Sequence, residues 1–166
     1  GELSVTPELA ALPQGDFAIE TWFKSTDTGR SILVGAYDGT YDAVNLELNT
    51  SNRIRMYIDG STVTDLNVSA DSLSIDTRDG GWHHLIGTRR NGIVALYLDG
   101  QLAGSKLDAS GNFTMNAPTW YLGRDTRTGT TQLDGRLDNV RFWNRALADT
   151  EIALLAGGAD TVEGLR

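Results

Sequence analysis

Three dipeptides divide the middle of this chain into short segments that must reverse direction sharply. Asp59-Gly60, Asn91-Gly92 and Asp99-Gly100 each lie between apolar stretches. Asp-Gly and Asn-Gly favour the positive φ angles of type I′ turns, which join neighbouring antiparallel strands. We therefore expect two-residue hairpin tips at Asp59-Gly60 and Asp99-Gly100, with Asn91-Gly92 as a third turn of the same chemistry.

Apolar and polar residues alternate between these turns, as they do in half-buried strands. Segment 16–24 is the clearest case, and the further predicted strands are 31–36, 43–48, 53–58, 82–89, 93–98, 118–123 and 135–143. A helix is predicted at 149–156, where Asp149 and Glu151 occupy the first turn. This pattern predicts an all-β fold, a two-sheet antiparallel β-sandwich or jelly roll with one short C-terminal helix.

The composition excludes several classes of function. The 166 residues carry 14 Lys and Arg against 22 Asp and Glu, a net charge of −8, whereas a nucleic-acid-binding surface needs a basic face. The absence of cysteine excludes thiol catalysis and thiolate metal sites. No apolar run is long enough to cross a membrane, and no signal peptide is recognisable. We expect one domain over 1–166, cut from a longer protein that carried any export signal.

Three segments in order resemble a known family. They are FAIETWFK at 17–24, WHHLIGTRRNGIVALYLDGQLAGS at 82–105, and YLGRD at 121–125 followed by LDGRLDNVRFWNRALADTEI at 133–152. Together they resemble laminin-G-like domains of the concanavalin A-like superfamily, whose fold pentraxins share. The resemblance implies two stacked antiparallel sheets, frequently with calcium at one rim. It also implies a secreted or cell-surface protein that binds glycans, matrix polysaccharide or other proteins.

The resemblance places a calcium site in two loops, 37–42 and 123–134. Calcium takes six to eight oxygen ligands, and both loops offer carboxylates and amides. The implied ligands are Asp42 and Asp125 first, followed by Gln132 and Asp38. Pentraxins have Asp-Asn where this chain has Asp42-Ala43, so a weaker, single-ion site is expected. The alternative is that these aspartates only cap turns.

Asp138 is a separate candidate ligand. Alternation within 135–143 puts it on the same face as Val140 and Phe142, which are expected in the core. A carboxylate facing the core must be paired or bound to a metal ion. Two interpretations follow, a structural hydrogen bond or a second calcium site.

Aromatic and basic side chains in or beside loops are the candidate sugar contacts. An exposed ring can stack on the apolar C–H face of a sugar, and arginine can bind carboxylated or sulfated sugars with two hydrogen bonds. The candidates are Tyr37, Tyr41, Trp120, Arg124 and Arg127, with Arg89 and Arg90 as further arginines. For each of them the alternative is ordinary packing or a solvated surface charge.

The chain lacks the residue pattern of the glycoside hydrolases that share this sandwich. Those enzymes carry a closely spaced Glu-x-Asp-x-x-Glu motif on one strand, which places two carboxylates about 5 Å apart. Here Glu20 and Glu47 each stand alone on their predicted strands. The two histidines, His83 and His84, are adjacent in a strand and point to opposite faces, so they cannot share one metal ion. We expect the His84 ring to bond a loop or a neighbouring strand.

These observations predict a binding module and not an enzyme. The leading hypothesis is a calcium-dependent carbohydrate-binding or adhesive domain of an exported multidomain protein, monomeric as an isolated domain. Its partner would be a glycan, or a cell-surface or matrix polysaccharide. The alternative is a structural or protein-interaction domain without a sugar site.

Overall fold

The computed structural model describes residues 2–3, 7–39, 42–116, 118–124 and 132–158. Its strands are β1 (Glu2–Leu3), β2 (Phe17–Ser25), β3 (Ser31–Tyr37), β4 (Asp42–Asn49), β5 (Arg53–Asp59), β6 (Val63–Ser69), β7 (His83–Arg90), β8 (Ile93–Leu98), β9 (Gln101–Leu107), β10 (Thr119–Leu122) and β11 (Gly135–Trp143). Its helices are α1 (Pro7–Ala10) and α2 (Asp149–Ala156), and two 3-10 turns cover Leu12–Gln14 and Ala70–Leu73. No helix within the described ranges is long and apolar enough to cross a membrane.

The strands form two sheets with antiparallel pairing throughout. The order is β1-β10-β3-β4-β5-β6 in the six-stranded sheet and β11-β2-β7-β8-β9 in the five-stranded sheet. Alternate residues of the inner strands meet between the sheets, and many are completely buried, among them Phe17, Phe23, Leu46, Met56 and Leu96. The predicted sandwich is therefore confirmed.

A second, smaller apolar cluster lies on the outer face of the five-stranded sheet. There Ile152 and Leu155 of α2 pack against Ala18 and Ile86. The helix begins where Glu151 accepts the backbone N–H of Ala148 at 2.7 Å. Helix α2 thus occupies one end of this outer face, and the site described below lies at the other end.

Two of the three predicted turns are confirmed. Asn91-Gly92 and Asp99-Gly100 are two-residue tips in which all four residues have positive φ, between 50° and 78°. The prediction for Asp59-Gly60 is wrong, because Asp59 pairs with Val63 and the connection has three residues. Gly60 is needed there for a different reason, since a Cβ would overlap the carbonyl oxygen of Ser110.

Strands β1, β6 and β9 were not predicted. All three are edge strands, and β9 is mostly exposed, with Leu102 and Leu107 open to solvent by 52% and 73%. Strand β9 buries few side chains, so its sequence shows little of the alternation used to predict strands, whereas β6 does bury alternate residues, Thr64 and Leu66. The short helix α1 and both 3-10 turns were also not predicted.

Candidate ligand-binding site

The two predicted calcium loops leave the six-stranded sheet from opposite ends of β10. At one end Tyr37 pairs with both Thr119 and Asp42. At the other end the N–H of Gly123 donates to the carbonyl of Leu33 at 2.9 Å. The four residues of β10 separate these ends by about 13 Å. The described part of the two loops therefore does not bring them together.

The structure describes only some of the predicted calcium ligands. Asp38 is partly buried, and Gln132 is exposed and bridges to Arg124. The side chain of Asp42 and the whole of Asp125 lie outside the described residues. Within the described ranges, no three or more acidic or histidine side chains are grouped to hold a metal ion. Calcium binding through these loops stays a prediction.

The prediction that Asp138 faces the core is wrong. Asp138 is exposed, and its Oδ1 accepts the backbone N–H of Asn139 at 2.8 Å. Asn139 has a φ of 50°, and the register with β2 shifts between Asp138 and Arg141. This bulge inserts one extra residue, so Val140 still packs on the core while Asp138 points outward.

The predicted sugar-stacking role of Trp120 is also wrong. Its side chain is completely buried, and its ring meets the ring of Phe142 edge-on with centroids 4.7 Å apart. Tyr37 is half-buried, and its hydroxyl donates to the carbonyl of Gly39 at 3.0 Å. Tyr41 lies outside the described residues.

The arginine candidates have different surroundings. Arg124 is exposed and lies 4.7 Å above the ring of Tyr121, whereas Arg127 lies outside the described residues. A sugar-binding role for Arg89 is wrong, because this residue is 2% exposed and donates to backbone carbonyls of the segment before β2. Arg90 pairs with Asp149 across 3.4 Å.

Three of the four tryptophans belong to the outer face of the five-stranded sheet. Trp22 alternates with the core residues of β2, and Trp143 packs against the outer cluster beneath α2. Trp82 comes directly before β7 and is 43% exposed. We call this surface, together with Lys24 and Arg136, the tryptophan face.

A completely buried carboxylate holds the tryptophan face in place. Glu20 Oε1 lies 3.1 Å from Nε2 of His84 and 3.2 Å from the guanidinium of Arg141. Its Oε2 accepts the indole N–H of Trp143 at 3.2 Å. The His84 ring in turn contacts the ring of Trp22, with centroids 5.0 Å apart. The expectation that His84 bonds a neighbouring strand is confirmed.

Two cations without acidic partners lie at the open end of this face. Lys24 Nζ is 5.2 Å from the ring centroid of Trp82, and Lys24 pairs directly with Arg136 across the β2–β11 ladder. Neither forms a salt bridge with a described residue. Like charges directly opposite each other destabilise a sheet. Among the described residues this end therefore carries two cations that no salt bridge neutralises, with the carboxylate of Asp134 in the same cleft.

A cleft of about 320 Å³ opens beside Lys24 and Arg136, lined also by residues 25–26, 80 and 134–135. Ser25 Oγ donates to the carbonyl of Asp134 at 2.6 Å, which ties the end of β2 to the segment entering β11. Gly135 allows this approach, since a Cβ there would overlap the carbonyl oxygen of Lys24. The lining is thus polar, with two cations and the carboxylate of Asp134.

Gly80 belongs to the loop that forms one wall of the cleft, and hydrogen bonds of His83 hold this loop in place. The His83 ring lies between two carboxylates, with Nδ1 at 2.9 Å from Asp99 and Nε2 at 3.2 Å from Asp79. The hydrogen bond with Asp99 raises the pKa of His83, and Asp79 adds to the effect against partial burial. The His83 ring therefore connects the loop before β7 to the β8–β9 turn.

Arg78 fastens the same loop from the other side. Its guanidinium donates to the backbone carbonyls of Asp27, Gly29 and Asn49, with the last two at 3.0 Å. Burial lowers the pKa of Arg78, and the charges of Asp27 and Asp76 partly oppose that shift. These contacts join the cleft wall to the β2–β3 connection.

The outer face of the six-stranded sheet has paired charges instead. Glu47 is completely buried and accepts from Arg30 and, at 3.1 Å, from Arg55. Arg55 also makes two hydrogen bonds of 2.8 Å to Asp65, which hold the pKa of that carboxyl below its usual range. We call these four residues the ion-pair face. Glu47 and Glu20 lie on different sheets, so they cannot act as the paired carboxylates of a glycosidase.

Sequence reasoning missed Trp22, Trp82, Lys24 and Arg136 as site residues. A signal was available, because alternation puts Trp22 and Lys24 opposite the core side of β2 and puts Trp82 on the same face as His84. What the sequence could not show is which face stays uncovered and that β2 lies between β7 and β11.

The fold is an antiparallel β-sandwich with an open aromatic face, and the comparisons name its family. A family model described as the concanavalin A-like lectin/glucanases superfamily, of the laminin G type, matches residues 2–153. The chain therefore belongs to that superfamily, as the resemblance in its sequence indicates. No curated protein sequence matches the chain.

Solved structures show the same fold at low sequence identity. The binding domain of Paraclostridial Mosquitocidal Protein 1 is 18% identical, with a TM-score of 0.68, covering 88% of this chain and 38% of that one. The heptameric SAP-like pentraxin of Limulus polyphemus is 12% identical, with a TM-score of 0.69, covering 85% and 69%. The binding domain of botulinum neurotoxin DC in complex with SialylT is 13% identical, with a TM-score of 0.67, covering 90% and 37%.

The chain thus spans less than two fifths of the length of the toxin binding domains it matches. Both toxin neighbours are binding domains, and the superfamily description also includes glucanases.

Proposed function

We propose that this domain is a carbohydrate-binding or adhesive module of an exported multidomain protein, and that it binds sugar on the tryptophan face. The observation that carries the proposal is Trp82, a large aromatic side chain 43% exposed beside a polar cleft. Sugar-binding sites combine a flat apolar surface with a few placed polar groups. Trp82 supplies the surface, and the cleft supplies the polar groups.

The framework behind Trp82 supports a preformed site. Trp22 is held through His84 by the buried Glu20, and the cleft wall is held by Arg78 and His83. A site that is ordered before binding avoids the entropic cost of ordering it on binding. The family description, which names lectins, and a structural neighbour solved with SialylT agree with this class of ligand.

Calcium dependence is the second part of the proposal. Asp42 and Asp125 are the proposed main ligands, with Gln132 and Asp38 beside them. The segment that carries Asp125 and Gln132 continues directly into Asp134, which lines the cleft. An ion that orders this segment would also order that wall of the cleft, so removal of calcium is expected to weaken sugar binding.

The test is a glycan-array screen with calcium and again with chelator, repeated with Trp82→Ala. Loss of a stacked ring is expected to lower affinity about tenfold. The matched control is Leu102→Ala, which removes another half-exposed apolar side chain at the opposite edge of the same sheet. Equal binding by Trp82→Ala and wild type would place the sugar site elsewhere. We also expect no release of reducing ends from bound polysaccharide.

One observation favours the alternative of a protein-interaction domain. Edge strand β9 exposes Leu102 and Leu107, and an exposed strand edge can pair with a strand of another protein. A structural neighbour solved with rat synaptotagmin II binds a protein partner. Failure of every glycan in the screen would favour this alternative.

A further inference from the structure

We propose that the sugar bound on the tryptophan face is acidic, and that Lys24 and Arg136 recognise its carboxylate or sulfate. This inference rests on the proposed function and adds the chemical class of the ligand. Its basis is the contrast between these two cations and most of the other described arginines.

Most arginines of the described part are already occupied. Those in salt bridges with carboxylates are Arg30, Arg55, Arg89, Arg90, Arg141 and Arg145. Arg53 donates to Asn67 and Arg78 to backbone carbonyls. In a chain with net charge −8, acidic partners are plentiful. Two cations that face each other without a salt bridge to any described residue are therefore unusual.

Lys24 and Arg136 are direct cross-strand neighbours, so their repulsion raises the free-energy cost of leaving both without a salt bridge. Cross-strand neighbours have their Cβ atoms about 5 Å apart, and like charges at that separation repel. A single anionic group bound between them would replace repulsion with two charge-assisted hydrogen bonds. The arrangement suits one carboxylate or sulfate group.

The position of Trp82 is the reason to expect that the anion is part of a sugar. Lys24 Nζ lies 5.2 Å from the Trp82 ring centroid, so stacking surface and positive charge are adjacent. An acidic pyranose presents both an apolar C–H face and a charged substituent. Asp134, in the same cleft, can accept hydrogen bonds from sugar hydroxyls. An extended nucleic acid would need a larger basic surface than two residues provide.

The test compares the same polysaccharide with and without its charge. Polygalacturonate is titrated against its methyl ester, and dextran sulfate against dextran, so that carboxylate and sulfate are distinguished. We expect the charged member of at least one pair to bind about tenfold more tightly, the size of a charge-assisted hydrogen bond. Arg136→Gln and Lys24→Gln should each remove most of that difference in affinity between the charged and the neutral form.

The matched control is Lys106→Gln, which removes an exposed positive charge from β9 at the opposite edge of the sheet. It should retain the full preference for the charged form. Neutral forms that bind as tightly as charged ones would overturn the acidic class while leaving sugar binding intact. Absence of binding to all four polysaccharides would overturn both proposals. Equally tight binding of single-stranded DNA would show plain charge attraction and also overturn the inference.

Discussion

The ion-pair face and the open end of the tryptophan face differ in how their charges are paired. On the ion-pair face, Glu47 is buried between Arg30 and Arg55, and Arg55 continues to Asp65. On the tryptophan face, Lys24 and Arg136 oppose each other and neither forms a salt bridge with a described residue, although the carboxylate of Asp134 lines the same cleft. Both faces are formed by strands of the same sandwich, in which inward and outward side chains alternate in the same way. The difference is therefore one of side-chain chemistry and not of fold.

This contrast separates residues that stabilise the fold from residues that are available for a ligand. A buried carboxylate without partners would be costly, so each neighbour of Glu47 contributes to stability. An exposed cation without a partner contributes little to stability and can even reduce it. Substitutions on the two faces should consequently differ in size and in sign.

The largest effect is expected from Glu47→Gln on the ion-pair face. This change leaves Arg30 and Arg55 without the carboxylate they share, while Arg55 keeps Asp65. Breaking a buried ion pair costs about 3–5 kcal/mol, and solvent access to both arginines favours the low end, about 3 kcal/mol. Urea unfolding should show this loss of free energy of unfolding. A thermal melt should show a fall in Tm of roughly 6–12 °C.

Asp138→Asn is the matched control on the other sheet. It also neutralises one carboxylate, but an exposed one that bonds only its own neighbour in the bulge. Its effect should stay within about 0.5 kcal/mol. If the two substitutions lower the free energy of unfolding equally, the burial of Glu47 does not determine its contribution to stability.

Calcium is expected to have the next largest effect, at the rim of the six-stranded sheet. An ion bound only to the folded state adds about 2.7 kcal/mol at a hundredfold excess over its Kd. The melting temperature should rise by several degrees in millimolar calcium compared with chelator, and by less in magnesium, which requires near-octahedral geometry. Asp42→Ala and Asp125→Ala should abolish the rise. A rise that survives both substitutions would place the ion elsewhere.

The fold was predictable from sequence because its signals are local and repeated. Alternation located eight strands, and the helix at 149–156 matches α2 residue for residue. Local signals failed where a distant contact decides, as at Gly60, which must fit against the carbonyl of Ser110. They also failed at Asp138, because one left-handed residue in the bulge reverses the direction inferred from alternation.

The candidate site was less predictable for a related reason. Exposure of an aromatic residue depends on which element covers it, and proximity to a loop in sequence does not decide this. Trp120 was expected at the surface and is completely buried, while Trp82 was passed over and is 43% exposed. The missing acidic partners of Lys24 and Arg136 depend on the order of strands in the sheet. A single sequence does not contain that order explicitly.

A smaller effect is expected from pH, through the fastening of the cleft wall by His83. Its folded pKa is raised above the ordinary 6.5 by Asp99 and Asp79. The stability that this contact adds is therefore fully present below pH 6.5 and is lost as the pH rises through the folded pKa. In His83→Gln the free energy of unfolding should fall less between about pH 5.5 and about pH 8.5 than it does in the wild type.

The His83 interpretation has its own check. In an NMR titration the His83 ring should have a midpoint above 6.5, and Asp99→Asn should lower it, since Asp99 supplies the main contact. A midpoint that does not respond to Asp99→Asn would show that this carboxylate does not hold the proton on His83.

The smallest effect, and the one that tests the sign of the comparison, is expected from Arg136→Gln. Removing one of two opposed cations relieves their repulsion, so the free energy of unfolding should rise by about 0.3 kcal/mol at low salt. The gain should disappear in about 1 M salt, where the Debye length falls to about 3 Å. The same substitution on the ion-pair face, Arg55→Gln, should instead lower stability, because it removes a partner from both Glu47 and Asp65. Parallel urea titrations of the two variants at both salt concentrations provide the measurement. If Arg136→Gln destabilises the fold by more than about 1 kcal/mol, Arg136 has a structural role, and the two faces do not differ in the way their charges indicate.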